Sequence, residues 1–179
     1  TILFAVLTLD LVMLLAWRMS HSLPAALLAG GFLGLSREFW MYAVVPEAFS
    51  LNALLAAVLL TLAAAWHRGG GPWTIVAAAF VGGLGATNHW TLLTLGPGIA
   101  ASLMWRRPSW RVLAGCTAAF TMGLSFVFVL FPLLGRDGPL IFPDDPTWRG
   151  FVDVVLRRRY GVVAAATGEL LGGDLDVAG

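Results

Sequence analysis

EFWMYAVVPEAFSLN, residues 38–52, is the corner at which one long apolar run gives way to another, with only Val45, Pro46 and Glu47 between them. So short a connection makes the two flanking segments antiparallel neighbours. Pro46 suits the first turn of the helix that follows, where its missing N–H leaves nothing unsatisfied. Glu47 complements the positive end of that helix dipole. A carboxylate, aromatic rings and a proline gathered at the turn of an apolar hairpin mark a candidate site.

Outward from this corner, further segments of the same kind follow in both directions. Six are marked: Ile2–Trp17, Leu23–Val45, Glu47–Trp66, Trp73–Asn88, Trp90–Trp105 and Val112–Leu134. The 179-residue chain is 59% hydrophobic and 12% charged, with a mean hydropathy of +0.83. That composition belongs to a polytopic membrane protein, and lipid leaves the spans no structure but helix. The expected organisation is an all-α membrane bundle of about six spans over residues 1–134. An extracytoplasmic loop with an interfacial amphipathic helix is expected over 135–179.

The net charge of +1 hides an uneven layout. Arg18, Arg68, Arg106, Arg107 and Arg111 fall in alternate connections, whereas the opposite short connections have only Arg37 nearby. The positive-inside rule puts the arginine-rich side in the cytoplasm. Glu38, Glu47, Asn88, His89 and the later acids are then extracytoplasmic, and a bacterial inner membrane with its site facing the periplasm or cell exterior is the expected location. No basic patch interleaved with aromatics is present, so nucleic acid is not a partner. The lone Cys116 excludes an intrachain disulfide and a cysteine-based metal site. There is no phosphate loop, HExxH pair, GxSxG elbow or CxxC.

What remains is polar groups arriving at one face from separate helix ends. The fourth and fifth segments have about 16 residues each, roughly 24 Å of helix against a hydrocarbon core of about 30 Å. Their turn, GLGATNHWTLL, therefore places Asn88 and His89 at membrane depth, where an ionisable residue is a functional candidate. Gly82, Gly83 and Gly85 allow close helix approach just before it. Arg37 and Trp40 flank the first corner, Trp40 and Tyr42 being equally at home as interfacial anchors. Glu47, Arg37 and His89 together supply acid, cation and imidazole, a set able to hold a phosphate and a sugar. Asp10 lies deep in the first segment and is expected to face the bundle or water. The tail element FPDDPTW reads as a turn entering a short helix, with Thr147 or Asp145 as N-cap. Arg157–Arg159 follow on an amphipathic stretch, where at least one can reach a lipid phosphate.

Three segments together carry a resemblance. EFWMYAVVPEAFSLNALLAAVLLTLAAAW supplies Trp40, Ala43, Glu47, Phe49, Leu51 and Asn52. GLGATNHWTLLTLGPG supplies Gly83, Gly85, Asn88, His89 and Pro97. DPTWRGFVDVVLRRRYG supplies Pro146, Phe151, Arg157, Tyr160 and Gly161. In this order and spacing they resemble the family first catalogued as a domain of unknown function, the transmembrane protein 260-like proteins of the GT-C glycosyltransferase class. The resemblance implies a partial GT-C-like fold. It also implies transfer of a sugar, mannose, from a polyprenyl-phosphate donor to a protein Ser or Thr hydroxyl on the extracytoplasmic face, with inversion at the anomeric carbon. Membrane lipids, the polyprenyl-phosphate sugar and a protein acceptor are the implied partners. The lipid-phosphate sugar is a substrate, and no metal or other cofactor is expected. Substrate-binding residues would be Arg37, Trp40, Glu47, Asn88, His89, Arg158 and Tyr160. Phe49 stands where the family more usually has Tyr. The family's favoured catalytic base lies in an acidic motif before the matched region, so the chain is expected to be a fragment, inactive alone, with its base unassigned. A secondary transporter or channel, and a noncatalytic scaffold, remain open from the residues alone, since transporters also place broken helices around polar sites.

Overall fold

The structure is a computed structural model that describes residues 1–45, 48–133 and 147–155. The described residues are helical, with no strand among them. The chain divides into two compact units, Thr1–Phe126 and Val127–Gly179.

In the first unit, α1 (Ile2–Ser20) ends at His21, whose left-handed backbone (φ 53°) turns the chain. α2 (Leu23–Gly34) starts at Ser22, whose hydroxyl accepts the Ala25 N–H at 3.4 Å. The sequence reads 23–45 as one segment, but the structure breaks it. Ser36 caps a new helix, α3 (Arg37–Val44), by accepting the Phe39 N–H at 3.2 Å. A serine followed by the charged pair Arg37–Glu38 offers the backbone a better partner than continued helix would. α4 (Ala48–His67) follows, then α5 (Pro72–Asn88), a 3-10 turn (Trp90–Leu95), α6 (Gly96–Trp105) and α7 (Trp110–Leu124). A 3-10 segment, Ser125–Leu133, continues from α7.

Among the described residues, three stretches are long and apolar enough to cross a bilayer: Ile2–Ser20, Ala48–His67 and Trp110–Val129. Leu3, Phe32, Leu35 and Met122 are exposed. An apolar exterior of this kind suits lipid, not water. The core gathers Leu59 and Trp66 of α4, Ile75 and Ala78 of α5, Leu92 of the 3-10 turn and Cys116 of α7. Asp10 lies exposed on α1, turned away from this packing.

α5 packs most extensively on α7, and the reason is two glycines facing each other. A Cβ at Gly83 would strike the Phe120 carbonyl oxygen, and one at Gly123 would strike that of Phe80. The two backbones thus touch directly, as small residues permit in membranes. Gly85 serves differently, leaving room for the Leu92 side chain, while Gly82 has only the Phe120 ring at 3.9 Å.

Arg18, Arg68 and Arg106 lie at one end of this unit. Arg68 Nη1 donates to the Arg18 carbonyl. Arg106 Nη1 donates to the carbonyls of Trp66 (2.7 Å) and Gly70 (2.8 Å), and its guanidinium lies 4.1 Å from the Trp66 ring centroid. These cations satisfy carbonyls left open where α1 and α4 stop.

In the second unit, Thr147 accepts the Gly150 N–H at 3.3 Å and caps α8 (Trp148–Val155), as one of the two expected caps. Phe128, Trp148 and Phe151 form an aromatic cluster with ring centroids 5.1–6.3 Å apart. Asp145, Pro146 and Arg157–Arg159 lie outside the described residues.

If the glycine contact sets the α5–α7 spacing, Gly83→Ala should destabilise the protein by at least ~1–3 kcal/mol, the usual range for overpacking. Gly31→Ala, where a Cβ meets nothing within 4 Å, should be neutral. Thermal unfolding of both variants in detergent compares the two.

Candidate functional site

At the end of the bundle opposite the arginines, the α5–α6 connection meets the start of α4. α5 stops at Asn88, and His89 takes an extended backbone (φ −156°, ψ 128°) before the 3-10 turn begins. The break exposes backbone groups that need partners, and polar side chains supply them. Asn88 Nδ2 donates to the Ala48 carbonyl at 3.1 Å. The Thr91 N–H points to His89 Nδ1 at 3.3 Å.

That second contact determines the protonation pattern of the site. A backbone N–H can only donate, so Nδ1 is the unprotonated nitrogen and the ring proton sits on Nε2. The Thr91 hydroxyl, 2.8 Å from the same Nδ1, then donates to it. Its oxygen is left to accept Asn52 Nδ2 at 3.1 Å. The Asn52 amide is therefore oriented with its NH2 toward Thr91 and its Oδ1 turned away. A side-chain relay, Asn52 to Thr91 to His89, ties α4 to the turn.

Aromatic contacts reinforce the relay. The Phe49 ring lies 5.1 Å from the His89 ring and 4.5 Å from Tyr42 of α3. Between α1, α3 and α4 is a cavity of about 180 Å³ lined by Ala5, Phe39, Tyr42, Phe49, Ser50 and Asn52, with Ala43 and Ala53. Ser50 Oγ and Asn52 Oδ1 are buried without a hydrogen-bond partner, each at a cost of about 1–3 kcal/mol. A second, apolar cavity of about 340 Å³ lies among α4–α7, lined by residues that include Leu59, Ile75, Leu92, Ile99, Leu103 and Phe120.

Of the residues expected from sequence to bind substrate, Asn88 and His89 are brought against α4. Arg37 and Trp40 are exposed on α3, and none of the described contacts joins them to His89. Glu47, Arg158 and Tyr160 lie outside the described residues. Thr91 and Ser50 had no role assigned from sequence, and Asn52 was only part of a motif. The signal for Thr91 was its place two residues after His89, at the entry of a new turn.

Apolar helices long enough to span a bilayer, with polar side chains concentrated at one inter-helix corner, define an integral membrane protein of the all-α class. Residues 3–112 match the family described as the Protein O-mannosyl-transferase TMEM260 N-terminal domain, and the chain belongs to that family. It is 28% identical to the mouse (Mus musculus) protein named Protein O-mannosyl-transferase TMEM260 over 94% of its own length. It spans 25% of the length of that relative. No solved structure matches the chain.

The relay makes a spectroscopic prediction. In wild type, the His89 imidazole should show the Nε2–H tautomer by 15N NMR. Thr91→Val, which keeps shape and the backbone N–H but removes the hydroxyl, should keep that tautomer and cost about 0.5–1.5 kcal/mol. Thr91→Ser should restore the wild-type stability.

Proposed function

We propose that the chain forms the donor-binding part of a membrane glycosyltransferase that moves mannose from a polyprenyl-phosphate donor to a protein Ser or Thr hydroxyl. The observation that carries this reading is the Asn52–Thr91–His89 relay at the α4–α5 corner, in a chain of this family. It holds an imidazole with its donor nitrogen, Nε2, defined. An N–H donor so oriented suits a phosphate oxygen, which is an acceptor and gains from charge-assisted hydrogen bonding.

The name of the mouse relative, Protein O-mannosyl-transferase TMEM260, supports mannose and a protein acceptor. The apolar cavity among α4–α7 supports a lipid-linked donor, since an isoprenoid chain needs an oily slot next to its phosphate. Leu92, which lines that cavity, directly follows Thr91 in the 3-10 turn. A transport path would instead need polar lining through the bundle, and this cavity is almost wholly apolar. By the positive-inside rule the arginine end is cytoplasmic, so the His89 end faces outward.

In the reaction, the acceptor hydroxyl oxygen bonds to the anomeric carbon as the bond from that carbon to the phosphate oxygen breaks. The hydroxyl proton passes to a base, and polyprenyl phosphate leaves. His89 would hold the phosphate, and Asn88 would brace the corner through Ala48. Arg37 and Trp40, exposed on α3, would complete the donor site at its rim.

Membranes containing a full-length enzyme that includes this chain, supplied with polyprenyl-phosphate mannose and a Ser/Thr peptide, should transfer mannose. His89→Ala should lower kcat/KM by tenfold to a hundredfold, matching loss of a hydrogen bond to a charged group, ~1.5–3 kcal/mol. Equal transfer by wild type and variant at equal expression would remove His89 from the site. Absence of transfer accompanied by solute uptake into proteoliposomes would replace the reading with transport.

A further inference from the structure

We propose that the arginine end of the first unit is a docking surface for anionic phospholipid headgroups, which supply the negative charge that the protein lacks there. Such docking holds whatever reaction the chain serves.

Arg18, Arg68, Arg106, Arg107 and Arg111 come to this end on three separate connections. Arg68 donates to the Arg18 carbonyl, which joins the end of α1 to that of α4. Arg106 donates to the Trp66 and Gly70 carbonyls, which joins the end of α6 to the α4–α5 turn. α5 and α7 run parallel, since a Cβ at Gly115 would lie 3.4 Å from Val76 and one at Gly83 would meet Phe120. Both helices therefore start here, and Arg107 and Arg111 flank the start of α7.

No carboxylate accompanies these cations. The sequence has no Asp or Glu between residues 11 and 36 or between 48 and 134. Asp10 lies half-way along α1, and Glu38 is next to Arg37 in α3. Glu47 precedes α4, whose 20 residues run about 30 Å before the arginines are reached. The later acids follow Trp110–Val129, a stretch able to cross the bilayer from this end, so the chain that carries them continues on the other side. Arg68 and Arg106 spend donors on neutral carbonyls, which leaves their charge unopposed, and Arg18, Arg107 and Arg111 are exposed. Like charges at the edge of a low-dielectric layer repel one another, so the surface needs a counter-charge.

Tryptophans set its depth. Trp17, Trp73, Trp105 and Trp110 lie in the first or last turn of α1, α5, α6 and α7, and are 50–76% exposed. Trp at a helix end favours the headgroup level, with its ring among the lipid chains and its N–H toward water. Arg18, Arg106 and Arg111 directly follow three of these rings and so stand at the depth of the lipid phosphates. A guanidinium fork matches two phosphate oxygens at once. A zwitterionic headgroup brings its own cation beside the phosphate, whereas an anionic one does not, and the surface favours the second. An acidic protein would meet the charge as well, but it would have to displace the headgroups among which the exposed tryptophans sit.

The test reconstitutes the purified chain in mixed bilayers and measures, by spin-label paramagnetic resonance, how strongly labelled phosphatidylglycerol and phosphatidylcholine associate with it. Wild type should favour the anionic lipid about fivefold, the equivalent of one headgroup charge meeting one arginine. Arg18→Gln, Arg107→Gln and Arg111→Gln combined, which leave Arg68 and Arg106 on their carbonyls, should bring the preference below about twofold. Salt at about 1 M should do the same to wild type. Lys at the same three positions keeps the charge and should keep most of the preference, and Arg37→Gln, on α3, should leave it unchanged. Equal association of both lipids with wild type would overturn the proposal; binding of a polyglutamate peptide in that case would give the surface to an acidic protein. A loss as large in the Lys variant or in Arg37→Gln would overturn it too, by tracing the effect to altered structure or to net charge alone. The salt measurement needs only wild type, so a preference that survives it would overturn the proposal whether or not the variants fold.

Discussion

A helix that stops inside an apolar layer leaves carbonyls and N–H groups that no solvent can satisfy, and this constraint organises the whole bundle. Several breaks among the described residues have a side chain assigned to them. Ser36 receives the Phe39 N–H where the second apolar segment divides. Arg106 donates to the Trp66 and Gly70 carbonyls past the end of α4. His89 receives the Thr91 N–H where α5 gives way to the 3-10 turn. The polar residues of a strongly apolar chain are thus concentrated where helices stop.

The two ends of the bundle solve the same problem with different chemistry. At one, guanidinium groups reach carbonyls and keep their charge at the rim, a use for which Arg is well shaped. At the other, neutral side chains do the work: Asn88 on the Ala48 carbonyl, and Asn52 through Thr91 to His89. Neutral groups can be held below the surface at far smaller desolvation cost than ions. That makes the second end the place where directed donors and acceptors can be fixed without a formal charge.

Much of this was legible in the residues. The apolar segments announce the spans, and the Asn88–His89 corner falls where α5 ends. Gly83 was readable as a close-approach glycine. The break at Ser36 was not, because hydropathy averages over a serine whose capping hydrogen bond depends on local backbone geometry. The relay was also hidden, since Asn52 and Thr91 are 39 residues apart and nothing in periodicity says that they face each other. Arg37 looked as suitable as His89 from its position in sequence, yet α3 begins at Arg37 after the Ser36 break and leaves it exposed. The register of a short helix, not composition, decided which polar residue of that corner meets the α4 turn.

Asn52 shows why an unpaired atom can be informative. Its amide has two ends, and the relay uses only the donor end. Had the structure needed no more than a brace between α4 and the turn, a hydroxyl at position 52 would have served without burying a second polar group. An amide also buries a carbonyl oxygen without a partner, at a cost that folding alone does not recover. Ser50, two residues earlier, adds a second unpaired oxygen. Stability would favour Ala or Val at a position so buried, so polarity is kept at this corner against the interest of folding.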